Sequence, residues 1–312
     1  MMAQRRGKNT RQSQWVYAAA VILFVVIIYF WQGGFVGGDT MPQTIPEGEL
    51  QVVFLPIGKA DCIILQSDGM TMVVDAGLRD TQDYVEQCLH ELNVTKIDIL
   101  VATHPDSDHN GGMAYLINGF DIGTVYMPDR TDTTRTFENL VRAMQDKGLQ
   151  ANVPEVGDVW QLGSAECLVL GPVHNEYKAD NDHSIVLKVT IGVRSMMLTG
   201  DAESNSEKDM METGMDLRAE VLKVAHHGSN SSSKAKFLDV IQPQIAVICC
   251  HQATEPKHPN DKVLERLAER NVVVYRTDYD GPICLRTDGV APWEVITKWD
   301  GISTSEFAGN AP

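Results

Sequence analysis

Thr103-His104-Pro105-Asp106-Ser107-Asp108-His109-Asn110-Gly111-Gly112 places four potential metal ligands in six positions. The cluster comes directly after an apolar run over residues 97–103 that reads as a buried strand. Imidazole and carboxylate suit divalent transition metals. A run this dense cannot bring all four side chains onto one ion without strain, but it can set alternate residues on two neighbouring ions. The paired glycines let the backbone pass close to such a site. Two later apolar runs end in the same kind of residue. Met196-Met197-Leu198-Thr199-Gly200-Asp201 ends in a carboxylate, and Leu222-Lys223-Val224-Ala225-His226-His227-Gly228-Ser229 ends in paired histidines. Either alone is an ordinary turn. The recurrence of ligand-type residues at three strand ends is what points to a site.

The body of the chain alternates short β-rich runs with helical patterns. Residues 50–57, 62–66 and 70–74 read as consecutive strands, the last two joined by the turn Ser67-Asp68-Gly69. Val85, Cys88, Leu89 and Leu92 fall at helical spacing within 80–92. Helices are also predicted over 137–147, 234–241 and 260–270. Strand pairs are predicted over 159–170 and 184–198, the second turning at Gly192, and single strands over 219–224, 245–249, 272–275, 282–286 and 293–297. With no interior linker, no repeat and no low-complexity segment, this is one α/β domain of about 250 residues.

Composition limits the rest. At 43% hydrophobic and 22% charged, the chain is neither disordered nor collagenous. The net charge of -16 is unevenly spread. Arg5, Arg6, Lys8 and Arg11 give the first 38 residues +4, leaving 22 basic against 42 acidic side chains, or -20, in the remainder. That balance argues against a broad basic surface for gripping nucleic acid. Between head and body, Trp15 to Trp31 is an unbroken apolar run bordered by aromatic residues at both ends. Its length approaches a bilayer core, and the basic residues on its N-terminal side keep that end in the cytoplasm. The expectation is a single-pass anchor with the body outside the cytoplasm, or a secreted body if the run is a cleaved signal peptide. The six cysteines show no C-x-x-C spacing and mostly sit in apolar runs, so they read as buried thiols.

The set His104-x-Asp106-x-Asp108-His109, Thr199-Gly200-Asp201 and His226-His227-Gly228-Ser229 resembles the metallo-β-lactamase superfamily in order and spacing. Gly58-Lys59-Ala60-Asp61-Cys62-Ile63-Ile64-Leu65, running on to Val74-Asp75-Ala76-Gly77, looks like that superfamily's opening strands. Asn181-Asp182-His183-Ser184 ahead of a strand is similar to the hydrolase domain of competence DNA-uptake (ComEC-type) proteins. The resemblance covers about residues 50–298 and implies a metallo-β-lactamase-like αβ/βα four-layer sandwich, here preceded by one N-terminal transmembrane helix. The expected organisation is a cytoplasmic head (1–14), an anchor (15–36), a linker (37–49), the hydrolase domain (50–298) and a tail (299–312).

The resemblance also implies roles. His104, Asp106 and Asp201 would hold one divalent metal. Asp108, His109, Asp201 and His226 would hold a second, with Asp201 bridging. Asp75 would orient a ligand. Asp108 and His227 would stand at the chemistry, His227 facing the substrate, although sequence does not decide which of His226 and His227 binds metal. Asp106 stands where hydrolytic members often have His. The stretch from Asn181 to Ser184 replaces a usual ligand His, with His183 open as a substitute. A first site poorer in nitrogen shifts preference from zinc toward manganese. His258, before Pro259, reads either as a residue near the site or as a helix-entry turn.

Two such metals, about 3.5–4 Å apart, supply a hydroxide at neutral pH and neutralise a phosphate. The expected function is therefore a metal-dependent phosphodiesterase or nuclease, using one or two zinc or manganese ions. One alternative is hydrolysis of another ester or amide, such as a phosphorylcholine ester, a lactone or a β-lactam. The other is a non-catalytic surface or DNA-uptake accessory module with a degraded site. The expected partners are a phosphate ester or other small substrate, nucleic acid, and the membrane through the N-terminal helix.

Overall fold

The computed structural model describes residues 45–297. The basic head, the anchor, most of the linker and the tail expected from sequence lie outside the described residues. Strands β1 (Leu50–Phe54), β2 (Ile63–Ser67), β3 (Met70–Val74), β4 (Lys96–Val101), β5 (Asp121–Tyr126) and β6 (Ala151–Asn152) build most of one sheet. The second sheet contains β7 (Val159–Leu162), β8 (Ala165–Gly171), β9 (Val186–Ile191), β10 (Arg194–Leu198), β11 (Val221–Lys223), β12 (Ile245–Ile248) and β13 (Val273–Arg276). The chain then returns to the first sheet with β14 (Ile283–Thr287) and β15 (Glu294–Thr297). The orders are β15-β14-β1-β2-β3-β4-β5-β6 and β13-β12-β11-β10-β9-β8-β7. Both sheets mix parallel and antiparallel pairs.

Period-two alternation divides each strand between two layers. In β1, Val52 and Phe54 face the second sheet, while Val53 faces the helices. The layer between the sheets is filled by side chains such as Phe54, Leu65, Met72 and Val101 against Leu187, Val189, Met196 and Leu198. Helices α1 (Gln82–Glu91), α3 (Met113–Gly119) and α4 (Arg135–Lys147) cover the outer face of the first sheet through Leu89, Leu116 and Leu140. The short helix α2 (Ser107–Asn110) lies between α1 and α3 in the chain. Helices α5 (Ser204–Glu212), α6 (Ala235–Ile241) and α7 (Asp261–Ala268) cover the second sheet through Met210, Phe237 and Leu267. A last short helix, α8 (Thr277–Asp280), follows β13. The result is the αβ/βα four-layer sandwich. Because both sheets are covered on both faces, their strands are nearly continuous apolar runs.

Local signals set the helix ends. The Thr134 hydroxyl accepts the Phe137 N–H at the start of α4, and Gly148 at φ 67° ends it. Among the elements that go beyond the sequence reading, three show why. Helix α3 is short, α5 carries few apolar residues, and β5 holds Gly123 in its middle. Each has a weak periodic signal and takes its structure from tertiary packing. All six cysteines are buried free thiols, as their apolar settings suggest. Among the described residues no helix is long and apolar enough to cross a membrane.

One buried acid ties α5 to the loop before α6. Glu207 accepts the backbone N–H groups of Ser233 and Lys234. Burial, partly offset by those donors, raises its pKa to about 7. From about pH 4.5 to 7 the folded chain therefore holds a proton that the unfolded chain releases. Stability from this group is full below that window and is lost as pH rises through it. Thermal melts across the window are expected to show this loss in the native protein, and Glu207→Gln is expected to remove it from the difference curve.

Candidate metal centre

Two parallel strand pairs deliver the site. In the first sheet β3 runs beside β4, with Val74 opposite Val101; in the second, β10 runs beside β11, with Leu198 opposite Lys223. Asp75 follows β3, His104 follows β4, Asp201 follows β10, and His226 and His227 follow β11. The loop from Asp106 to Gly112 packs backbone to backbone on the loop after β3. Ala76 N–H donates to the His109 carbonyl at 2.7 Å, and Gly112 N–H donates to that of Gly77 at 3.1 Å. A Cβ on Gly111 or Gly112 would strike that backbone, which explains the paired glycines. Asp75, His226 and His227 all have positive φ, at 61°, 51° and 51°. Non-glycine residues adopt this region at a cost, and such strain gathers at functional sites.

Three imidazoles are oriented alike. His109 Nδ1 is 2.7 Å from Asp75 Oδ2, and His227 Nδ1 is 2.9 Å from the Cys249 carbonyl oxygen. Carboxylate and carbonyl only accept, so in the neutral rings Nδ1 carries the hydrogen. His104 Nδ1 is 3.1 Å from Thr103 Oγ1, which donates its own hydrogen to Asp75 Oδ2 at 2.7 Å and so accepts from the ring. All three rings turn Nε2 inward, buried and without a hydrogen-bond partner, and Asp201 Oδ1 is likewise unpartnered.

These atoms converge. His104, His109 and Asp201 bring donor atoms within 4.8 Å of one another, as do Asp108, His109 and His227. Asp201 Oδ1 lies 3.3 Å from His109 Nε2, and its Oδ2 lies 3.5 Å from His227 Nε2. Lone pairs this close repel unless positive charge lies between them. Burial disfavours charge on His109, yet Asp201 and Asp75 push its pKa well above the usual imidazole value. The site therefore demands a cation, and unpartnered nitrogen and carboxylate donors fit a divalent metal.

The histidine pair differs from the expected order. His227, fully buried, lies in the cluster, with Nε2 3.5 Å from Asp108 Oδ2. His226 stands at the rim, 3.8 Å from Asp201, with Nδ1 facing Glu203 at 3.1 Å, Asn181 at 3.2 Å and Ser231 at 3.3 Å. Burial lowers the His226 pKa, but the hydrogen bond to Glu203 and the charges of Asp201 and Glu203 together outweigh it and raise the value. The physical cause is the left-handed backbone at both residues, which turns the second ring inward and the first outward.

The other predicted residues take supporting or peripheral places. Asp75 orients His109 and holds Thr103. Ser184 Oγ accepts the Asp201 N–H at 3.0 Å. Asp106 is half-exposed, 3.6 Å from His104 Nε2, and belongs to neither donor group. His183 is turned away: its Nε2 is 3.0 Å from the Tyr177 carbonyl oxygen. His258 stacks on the His226 ring at 5.8 Å, beside the site.

Sequence reasoning assigned no role to three charged residues here. Lys59 Nζ lies 2.8 Å from Asp108 Oδ2. Lys223 Nζ reaches from β11 to Asp61 Oδ2 at 2.6 Å, with both side chains buried. Asp61 Oδ1 in turn lies 3.5 Å from His227 Nδ1. Burial opposes both charges, but Lys223 lowers the Asp61 pKa and Asp61 raises that of Lys223. A lysine inside an apolar strand was the available signal.

Comparison with known proteins agrees with this geometry. The profile described as Metallo-beta-lactamase superfamily matches residues 55–252. The chain belongs to the metallo-β-lactamase superfamily. It is a hydrolase of that superfamily with a His/Asp metal-binding arrangement. It is 32% identical over 214 residues to ComE operon protein 3 of Bacillus subtilis (strain 168), covering 68% of this chain and 28% of that protein. It is 27% identical over 244 residues to Competence protein ComA of Neisseria gonorrhoeae, covering 78% of this chain and 33% of that protein. The chain thus spans about a third of these two curated relatives. Exodeoxyribonuclease YycJ of Bacillus anthracis is 25% identical over 194 residues, covering 56% of this chain and 71% of that protein. The crystal structure of the metallo-beta-lactamase fold protein YhfI from Bacillus subtilis superposes with a TM-score of 0.51 at 12% identity, covering 73% of this chain and 95% of that one.

Two outcomes follow from the geometry. His227→Ala is expected to lower metal content per chain, measured by elemental analysis after reconstitution, while His226→Ala leaves it unchanged. Lys223→Met strands the Asp61 charge and is expected to cost about 3–5 kcal/mol in denaturant unfolding. The double variant Lys223→Met/Asp61→Leu is expected to recover much of that loss.

Proposed function

We propose that this chain is a membrane-anchored, extracytoplasmic, metal-dependent phosphodiesterase of the ComEC-like kind, acting on nucleic acid or a related phosphodiester. The observation that carries the reading is the convergence of three buried, unpartnered Nε2 atoms on Asp201, beside Lys59 and His226 at the rim. The exodeoxyribonuclease and competence proteins among the relatives support a phosphodiester substrate. The apolar run from Trp15 to Trp31 and the charge difference between head and body support an anchor over 15–36 and its direction. In this reading residues 50–298 are the hydrolase domain, 37–49 the linker and 299–312 the tail.

His104, His109, His227, Asp108 and Asp201 would hold one or two divalent ions, zinc or manganese. When bound, such ions supply a nucleophile from water at neutral pH and neutralise charge on the phosphoryl group. The protein's own groups do the rest. Asp75 and the Cys249 carbonyl fix the rings of His109 and His227. Glu203, with Asp201, favours the protonated form of His226 at the rim, where the ring can bond a phosphoryl oxygen or donate to the leaving oxygen. Lys59 supplies a second positive charge beside Asp108.

The purified full-length protein in neutral detergent, supplied with manganese or zinc, is expected to cleave bis(p-nitrophenyl) phosphate. Chelator is expected to stop the reaction, and Asp108→Ala or His109→Ala to lower it by more than about 100-fold. Retained turnover in both variants would sink the site assignment. Turnover of a lactone, β-lactam or phosphorylcholine ester without diester cleavage would move the reading to another ester or amide. Less than one metal per chain would move it to a non-catalytic module.

A further inference from the structure

Ten arginines lie among the described residues. Seven have a polar partner. Arg130, Arg194, Arg218, Arg270 and Arg276 reach carboxylates. Arg266 binds the Ser232 and Ser233 carbonyls, and Arg286 binds Gln51. The remaining three, Arg79, Arg135 and Arg142, are exposed and make no hydrogen bond or ion pair with other described residues. These same three line one cleft of about 380 Å³. In a body with so large an excess of acid, unpaired arginines gathered in one concavity need an explanation.

The cleft lies between helices. Arg135, Asn139 and Arg142 fall on one stripe of α4, at i, i+4 and i+7. Tyr115 and Asn118 face them from α3, and Arg79 closes the side before α1. Asp146 is the single acidic side chain on the lining. Gly111 also lines the cleft, so it abuts the loop that carries His104, Asp108 and His109. Arginine forks suit phosphate oxygens, and side-chain amides add neutral donors, while the Tyr115 hydroxyl is already donated to Glu86. Three forks across a groove call for several phosphates on one flexible chain.

We propose that the Arg79–Arg135–Arg142 cleft binds the sugar–phosphate backbone of single-stranded nucleic acid and holds a strand alongside the metal-binding loop. The proposal rests on the phosphodiester reading of the centre and deepens it. It places strand binding on the helical face of the first sheet, where the excess acid of the body is locally reversed.

The test uses the full-length protein in neutral detergent with chelator present, so that no strand is cut. A fluorescein-labelled oligothymidylate is titrated and followed by anisotropy at several salt concentrations. The triple variant Arg79→Gln/Arg135→Gln/Arg142→Gln is expected to bind at least about tenfold more weakly near 50 mM salt, with the log–log salt slope reduced by about 2. With metal restored, its turnover of bis(p-nitrophenyl) phosphate and its thermal midpoint are expected to match the unsubstituted protein. Equal affinity in the triple variant overturns the proposal. So does the absence of oligothymidylate binding by the unsubstituted protein. Loss of binding to anionic phospholipid vesicles, with oligothymidylate binding intact, would assign the cleft to a membrane surface instead. Failure of the phosphodiesterase reading shows separately, as absent turnover of the small diester by the unsubstituted protein.

Discussion

Buried negative charge is the constraint on which the rest of the structure depends. Asp61, Asp75 and Asp201 are each no more than 2% exposed, and Asp108 joins them from the adjoining loop. Unpaired, such a group of carboxylates would not stay ionised in the interior. The fold answers with cations drawn from both sheets. Lys223, from the second sheet, reaches Asp61 in the first, and Lys59 reaches Asp108. The three imidazoles stand over Asp201 and Asp75. A buried ion pair adds little net stability, but it fixes which groups may lie together, because losing one member strands the other. The Asp61–Lys223 pair thus works as a register pin between the sheets, and His227 is seated directly above it.

Much of this was legible in the sequence, for a physical reason. Strands buried on both faces must be apolar, so a ligand-type residue at the end of such a run stands out. That contrast located His104, Asp201 and the histidine pair, while Asp75 came from the family resemblance. The same logic could not order His226 and His227. Adjacent residues point to opposite sides, so one ring of the pair faces inward, but the left-handed backbone at both positions sets which one, and nothing in a His-His pair announces it. His183 misled for a related reason: it precedes a strand, but its short helical turn (Asp180–His183) aims the ring at Tyr177. Lys223 was overlooked because sequence patterns treat a charge in an apolar run as a break, and Asp61 was noticed only within the Gly58–Leu65 segment, with no role attached. Here each charge is what makes the other tolerable.

The acidity of the chain also takes on a different meaning. Averaged over the surface, the excess of acid argues against nucleic acid, yet electrostatic effects between exposed charges fade over about a Debye length, some 8–10 Å. What a phosphate meets is therefore local. At the metal centre it meets Lys59, His226 and whatever cation the donor atoms hold. In the cleft beside Gly111 it meets three arginines and one aspartate. If strand and scissile phosphate occupy these two places together, the loop from His104 to Gly112 is the shared wall between them. Its glycines then serve a second purpose. They let the backbone lie flat enough against residues 76–79 for one loop to present ligands on one side and close a groove on the other.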